Sequence, residues 1–145
     1  MSPSLDRLLL AYDGSEPSKK ALQFTKELAK RLNSEVIVLY VIDIEKLAEM
    51  LGELEISDVA NLEKKASSLV EEAVKELQEA GVKARGTIRK GPPPEAIVEA
   101  AKEEGCSMIV VGSHGWRGFK RLLLGSVSEK VVRISDVPVL VVKGK

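Results

Sequence analysis

Short apolar runs alternate with segments of helical period along this 145-residue chain, and that alternation limits its fold more than any other feature. Arg7–Tyr12 (RLLLAY), Glu35–Ile42 (EVIVLYVI), Met108–Val111 and Val137–Val142 (VPVLVV) lack a polar residue at every second position, and another strand is expected at about Lys83–Arg89. A strand with one wet face alternates in polarity, so continuous apolar runs predict strands buried on both faces. Between them, Asp13-Gly14 signals a turn, Ser15 can cap a helix with Pro17 in its first turn, and Ala21, Phe24, Leu28 and Leu32 recur on one face. Asn61–Ala80 is the clearest helix, with Leu62, Ala66, Leu69, Ala73, Leu77 and Ala80 as its stripe and Gly81 as its stop. The turn Gly91-Pro92-Pro93-Pro94 leads into a helix at Glu95–Glu104, and Ser126–Ile134 is a further helix. Ile44–Asp58 is ambiguous: Leu47, Met50, Leu51 and Leu54 suggest a helical turn or two, against Gly52 and several acids. Buried strands separated by helices predict an α/β fold with a parallel sheet covered on both sides.

A chain of this length reads as a single domain over residues 1–145, able to bury roughly two-thirds of its unfolded surface. Its 22 basic residues balance 22 acidic ones, which argues against a nucleic-acid binder or a membrane-surface protein, since either needs a dominant basic face. Aromatic content of 3% leaves few stacking platforms for single strands. Cys106, the one cysteine, cannot form an intramolecular disulfide and fits a reducing compartment. No apolar run reaches ~18 residues, and the N-terminus lacks a signal-like core. A soluble, cytoplasmic protein is expected.

Chemistry concentrates after the Met108–Val111 strand, in Gly112-Ser113-His114-Gly115-Trp116-Arg117-Gly118-Phe119-Lys120-Arg121-Leu122-Leu123-Leu124-Gly125-Ser126. A buried strand opens there into a glycine-punctuated loop that feeds a helix N-terminus, presenting backbone N–H groups to an anion such as phosphate. No Asp or Glu occurs between Gly105 and Ser128, whereas Arg117, Lys120 and Arg121 do. In doubly wound sheets ligands sit beyond the carboxyl ends of the strands, where strand order reverses. With the first strand central, that point lies between Asp13-Gly14-Ser15 and Gly112–Gly125. Neither the P-loop spacing nor the dinucleotide G-x-G-x-x-G is present; the pattern is G-x2-G-x9-G-S, formed by Gly112, Gly115, Gly125 and Ser126.

Together with Ala11-Tyr12-Asp13-Gly14-Ser15 and Pro138-Val139-Leu140-Val141-Val142, this pattern closely resembles the universal stress protein family, over essentially the whole chain. The resemblance implies an open doubly wound five-stranded parallel sheet in the order 3-2-1-4-5 with helices on both faces, and a dimer. It implies ATP as ligand, since members that keep the glycine motif bind it. Carried over by residue, Asp13, with Ala11 and Tyr12 beside it, contacts the adenosine part, and Val41 holds adenine through its backbone. Gly112, Gly115, Gly125, Ser126 and Val127 line the ribose and phosphates; Ser113, His114, Arg117 and Ser128, in the same segment, complete the candidate nucleotide site. Trp116 departs from the smaller or basic residue common after the second glycine, and Ser107 stands where many members have Asp.

Several of these residues also suit ordinary structural roles. Ser126 with Glu129 forms a capping-box pattern that needs no ligand; Gly112 and Gly125 can be turn glycines; Asp13 before Gly14 is an ordinary turn former. His114, the only histidine, excludes a multi-histidine metal site. Asp13 with phosphate oxygens can hold one hard cation, magnesium or manganese. The leading expectation is a nucleotide-dependent switch acting in the stress response, with a protein partner the chain does not identify. A slow ATPase or phosphotransferase stays open, with only Asp13 and His114 as candidate groups, as does a dimer with an empty pocket. Flavin suits the fold, but only Trp116 and Phe119 are there to flank it. For assembly, Val137–Val142 falls at the sheet edge in this order, and an apolar edge strand is expected to pair with a second copy as a homodimer.

Overall fold

A computed structural model of the chain describes residues 5–52, 55–113 and 125–143. Strands β1 (Arg7–Ala11), β2 (Glu35–Ile42), β3 (Ala84–Lys90), β4 (Met108–Gly112) and β5 (Val139–Val142) form a parallel sheet in the order β3-β2-β1-β4-β5. β1 pairs with β2 from Arg7↔Glu35 to Ala11↔Leu39, and with β4 from Leu8↔Met108 to Leu10↔Val110. Helices α1 (Glu16–Leu32) and α3 (Ile56–Glu79) pack on one face. Helices α4 (Pro93–Glu103) and α5 (Ser126–Ile134) pack on the other. The short α2 (Ile44–Leu51) follows β2.

Successive strand residues enter opposite cores, which explains apolar runs without alternation. Leu8, Leu10, Val36 and Val38 meet Ala21, Leu22 and Ala29 of α1 and Val70, Ala73 and Leu77 of α3. Leu9, Ile37, Leu39 and Ile109 meet Ile97, Ala100 and Ala101 of α4 and Val131 of α5. Burying each large aliphatic side chain contributes about 1.5–3 kcal/mol.

The helix ends follow local chemistry. Ser15 caps α1, its Oγ accepting the Ser18 N–H at 3.4 Å. α3 closes on Gly81 at φ +86°: its N–H donates to the Gln78 carbonyl (3.0 Å) and that of Val82 to Leu77 (2.9 Å), satisfying the terminal carbonyls. α4 ends the same way through Gly105, so that Cys106 donates to the Ala101 carbonyl at 2.8 Å and turns its side chain into the core.

Some elements differ from the sequence reading. α1 does not bury the Phe24 and Leu32 stripe; those residues are 50% and 40% exposed, and Ser18, Ala21, Leu22, Thr25 and Ala29 face the sheet. Small side chains let the helix backbone approach closely, and that contact outweighs the area of the larger residues. Gln23 and Lys26 reach Glu76 of α3, so Phe24, on the opposite flank, looks away from α3. α2 forms despite its acids, because Asp43 accepts the Lys46 N–H at 3.1 Å as N-cap. α3 starts at Ile56 rather than Asn61, where the Asp58 carboxylate accepts the Glu55 N–H at 3.1 Å. α4 starts at Pro93 rather than Glu95, since a first turn needs no N–H from its prolines. β5 starts at Val139, two residues later than expected. Leu54 lies outside the described residues.

At the amino ends of the strands, Arg7 binds Glu35 (2.8 Å) and the Glu104 carbonyl (2.5 Å), and Arg85 binds Glu104 (2.6 Å). These contacts tie β1, β2 and β3 to the end of α4. Among the described residues no helix is long and apolar enough to cross a membrane.

Two outcomes follow from the packing. A Cβ on Gly86 would stand 2.1 Å from Val70 Cγ1, so Gly86→Ala forces β3 and α3 apart. We expect a loss of about 1–3 kcal/mol in urea unfolding, partly recovered when Val70→Ala is combined with it. Burial pushes the Cys106 thiol up from 9.0 to about 11. A raised folded-state value means the neutral thiol stabilises the fold below pH 9 and that this stability is lost as pH rises through 11. Ellman's reagent should therefore leave Cys106 largely unmodified in the native protein at pH 8 and label it fully in denaturant.

Candidate functional site

β1 ends early. Its last rung is the Tyr12 N–H donating to the Leu39 carbonyl at 2.8 Å. The chain then turns into α1, with Asp13 Oδ1 accepting the Ser15 N–H at 2.9 Å and Ser18 Oγ accepting the Asp13 N–H at 3.3 Å. β4 ends at Gly112, and the Ser113 N–H donates to the Val142 carbonyl at 2.9 Å. Since α1 and α5 lie on opposite faces, the chains leaving β1 and β4 diverge and open a crevice, as expected where strand order reverses.

A cavity of 680 Å³ occupies this crevice, within the size range of small-molecule sites. Its walls bring together Ala11, Tyr12, Asp13, Val41, Gly112, Ser113, Gly125, Ser126, Val127 and Ser128. His114, Gly115 and Arg117 lie outside the described residues, as do Trp116, Lys120 and Arg121. The cavity is also lined by residues that sequence reasoning did not select: Tyr40 of β2, Lys46, Leu47 and Met50 of α2, Leu62 of α3 and Pro93 of α4. The three-residue spacing of Leu47 and Met50 was the available signal, but only the path of the chain after β2 turns that face toward the crevice.

The two ends of the cavity differ chemically. At the β4 end stands the N-terminus of α5. Its N-cap is Gly125, at φ −67° and ψ 161°, and no side chain caps it. The Ser126–Glu129 capping box does not form, because the helix starts with Ser126 already in its first turn. Glu129 instead pairs with Arg133 at 2.8 Å, and the Ser128 hydroxyl donates to the Gly125 carbonyl at 3.1 Å. α1 and α2, by contrast, are capped by Ser15 and Asp43. The positive end of the α5 dipole thus faces the cavity without a side-chain acceptor; α4 is also uncapped and starts at the cavity wall, but its first turn begins with Pro93 and Pro94, which have no N–H to offer.

At the β2 end the feature is a peptide group. Even-numbered β2 residues bond toward β3, as the Gly91 N–H to Ile42 carbonyl bond shows at 3.0 Å, and odd-numbered ones face β1. Leu39 uses its carbonyl on Tyr12; Val41, two residues further, faces the side where β1 has already ended. Among the described residues its N–H and C=O meet no partner there. Asp13 lies between the two ends. Burial first, and then the Asp13 charge, raises the Tyr40 hydroxyl above its usual value; Tyr12 is raised by burial, then by Glu72, Glu76 and Asp13.

Gly112 has a packing reason of its own. A Cβ there would lie 2.5 Å from the Pro17 carbonyl oxygen, so β4 abuts the first turn of α1 directly. The dihedrals of Gly125 do not call for glycine, since an extended backbone suits any residue.

Comparison with known proteins gives one consistent result. The family model described as the universal stress protein family matches residues 4–143. A universal stress protein of Bacillus subtilis is 37% identical, covering 95% of this chain and 99% of that one. Another, from Methanocaldococcus jannaschii, is 36% identical over 100% of this chain and 99% of its own. The solved structure of that archaeal protein aligns at 39% identity with a TM-score of 0.84, covering 97% of each chain. A universal stress protein solved in complex with cAMP shares the fold, at 24% identity and a TM-score of 0.72 over 98% of this chain and 99% of that one.

Proposed function

The chain belongs to the universal stress protein family, and from that premise we propose that it is a nucleotide-dependent switch of the stress response, with ATP as its ligand. The observation that carries this reading is the pairing of the open Val41 peptide with the side-chain-free N-terminus of α5 across one cavity. β2 and β4 flank β1, so their ends are two strand spacings apart, roughly 9–10 Å. Adenine presents a donor and an acceptor on one edge, which the Val41 C=O and N–H complement. Phosphates favour a helix N-terminus, here lined by Gly125, Ser126, Val127 and Ser128. The ribose then lies over the end of β1, where Asp13 keeps one carboxylate oxygen beyond its bond to Ser15. A magnesium or manganese ion at Asp13 would draw its remaining ligands from phosphate oxygens and water. The protein works in the cytoplasm, where Cys106 stays a thiol.

The same reading includes a homodimer through β5. That strand is at the sheet edge, and its four residues are only half-buried. α1 and α5 contact β5 from opposite faces and carry exposed apolar residues, Phe24 and Leu32 on α1 and Val132, 47% exposed, on α5. Pairing β5 with its copy across a two-fold axis covers the edge and both flanks at once.

Calorimetry with ATP tests the site. Gly125→Val leaves the backbone unstrained and fills the phosphate end, so it should weaken binding by at least about tenfold, or ~1.4 kcal/mol, with an unchanged urea midpoint. Gly112→Ala is unsuitable as a probe, because it displaces α1. Unaltered ATP affinity in Gly125→Val would remove the phosphates from α5. Light scattering at tens of micromolar tests assembly. The wild type should be dimeric and Phe24→Glu combined with Val132→Glu monomeric; a monomeric wild type refutes the β5 pairing.

A further inference from the structure

α2 begins one residue after β2, with Asp43 as its cap, and so stands over the end of the crevice where the Val41 peptide is open. Lys46, Leu47 and Met50 line the cavity from α2, at the three- and four-residue offsets of a single helix face. Leu62 of α3 continues the wall. Met50 is the unusual member, since it lines the cavity and is nevertheless 72% exposed. Met108 is half-buried and packed against the core, and Ile56, exposed at 91%, does not line the cavity. The exposed surface of Met50 is therefore surface that an occupant of the crevice can cover. A thioether is flexible and polarizable, and it makes favourable contacts with aromatic rings.

Resting on the nucleotide reading above, we propose that Met50 forms the roof over the base, its thioether lying against the purine, and that oxidation of this sulfur by a hydroperoxide lowers occupancy of the site. In that step the sulfur takes one oxygen atom and loses two electrons, hydrogen peroxide leaves as water, and no bond within the protein breaks. The product sulfoxide is polar, and the side chain no longer serves as an apolar lid. Base and peroxide thus compete for one atom: a bound purine shields the sulfur, and an oxidised sulfur disfavours the purine.

Peptide mass spectrometry after hydrogen peroxide treatment tests this, with Met108 as internal control. ATP at a concentration that saturates by calorimetry should slow Met50 oxidation by about tenfold or more, whereas inorganic triphosphate, which lacks the base, should not slow it. After oxidation the wild type should bind ATP about three- to tenfold more weakly. Peroxide treatment should leave the ATP affinity of Met50→Leu where it stood before treatment. Met50 oxidation at an equal rate with and without saturating ATP would overturn the proposal while leaving nucleotide binding intact, as would equal protection by inorganic triphosphate. Absence of any ATP binding by the wild type would overturn the nucleotide reading itself, and this proposal with it.

Discussion

The architecture depends on β1 being hydrogen-bonded on both sides and buried on both faces. Leu8, Leu9 and Leu10 have no solvent exposure, and the strand pairs with β2 and β4 alike. The helix after β1 covers one face, and the helix between β4 and β5 covers the other. The crevice follows from that divergence. Because β1 stops at Ala11 while β2 runs on to Ile42, the longer strand leaves a peptide edge open beside it. The candidate site is thus assembled from strand lengths and crossover directions before any particular side chain is considered.

The two ends of the sheet are unlike. At the amino ends, Arg7, Glu35, Arg85 and Glu104 interlock, with the Glu35 and Glu104 side chains largely shielded from water. At the carboxyl ends, the helices present their positive termini, and among the described residues Asp13 and Asp43 are the carboxylates that line the cavity. One end is braced by charges that already have partners. The other offers dipoles and an open peptide, which can accept a ligand without first breaking an ion pair.

Much of this was legible in the sequence, and the exceptions have physical causes. β2 and α5 have the boundaries that periodicity and turn residues assign, because each lies between strong local signals. The α1 face was misread: a stripe of large residues is conspicuous in sequence, yet Ala21, Ala29, Ser18 and Thr25 make the close contact. Gly86 carried no visible reason, since its constraint is Val70 on a different element. The residues read from Asp13 and from the glycine motif do share one cavity where they are described, because they sit directly at strand ends. Leu47, Met50 and Leu62 were legible only as helix faces, since their place at the cavity depends on how α2 and α3 pass over the sheet.

The pairing of β1 with β4 joins residues a hundred positions apart, as in Leu8↔Met108. During synthesis from the N-terminus, β1, α1 and β2 can associate long before β4 exists. For that interval a strand that the native fold buries on both faces has one unsatisfied edge, and parallel sheets with such distant partners fold slowly. The crevice, which needs β4 and α5, is among the last features to appear, so a ligand in it reports that folding is complete.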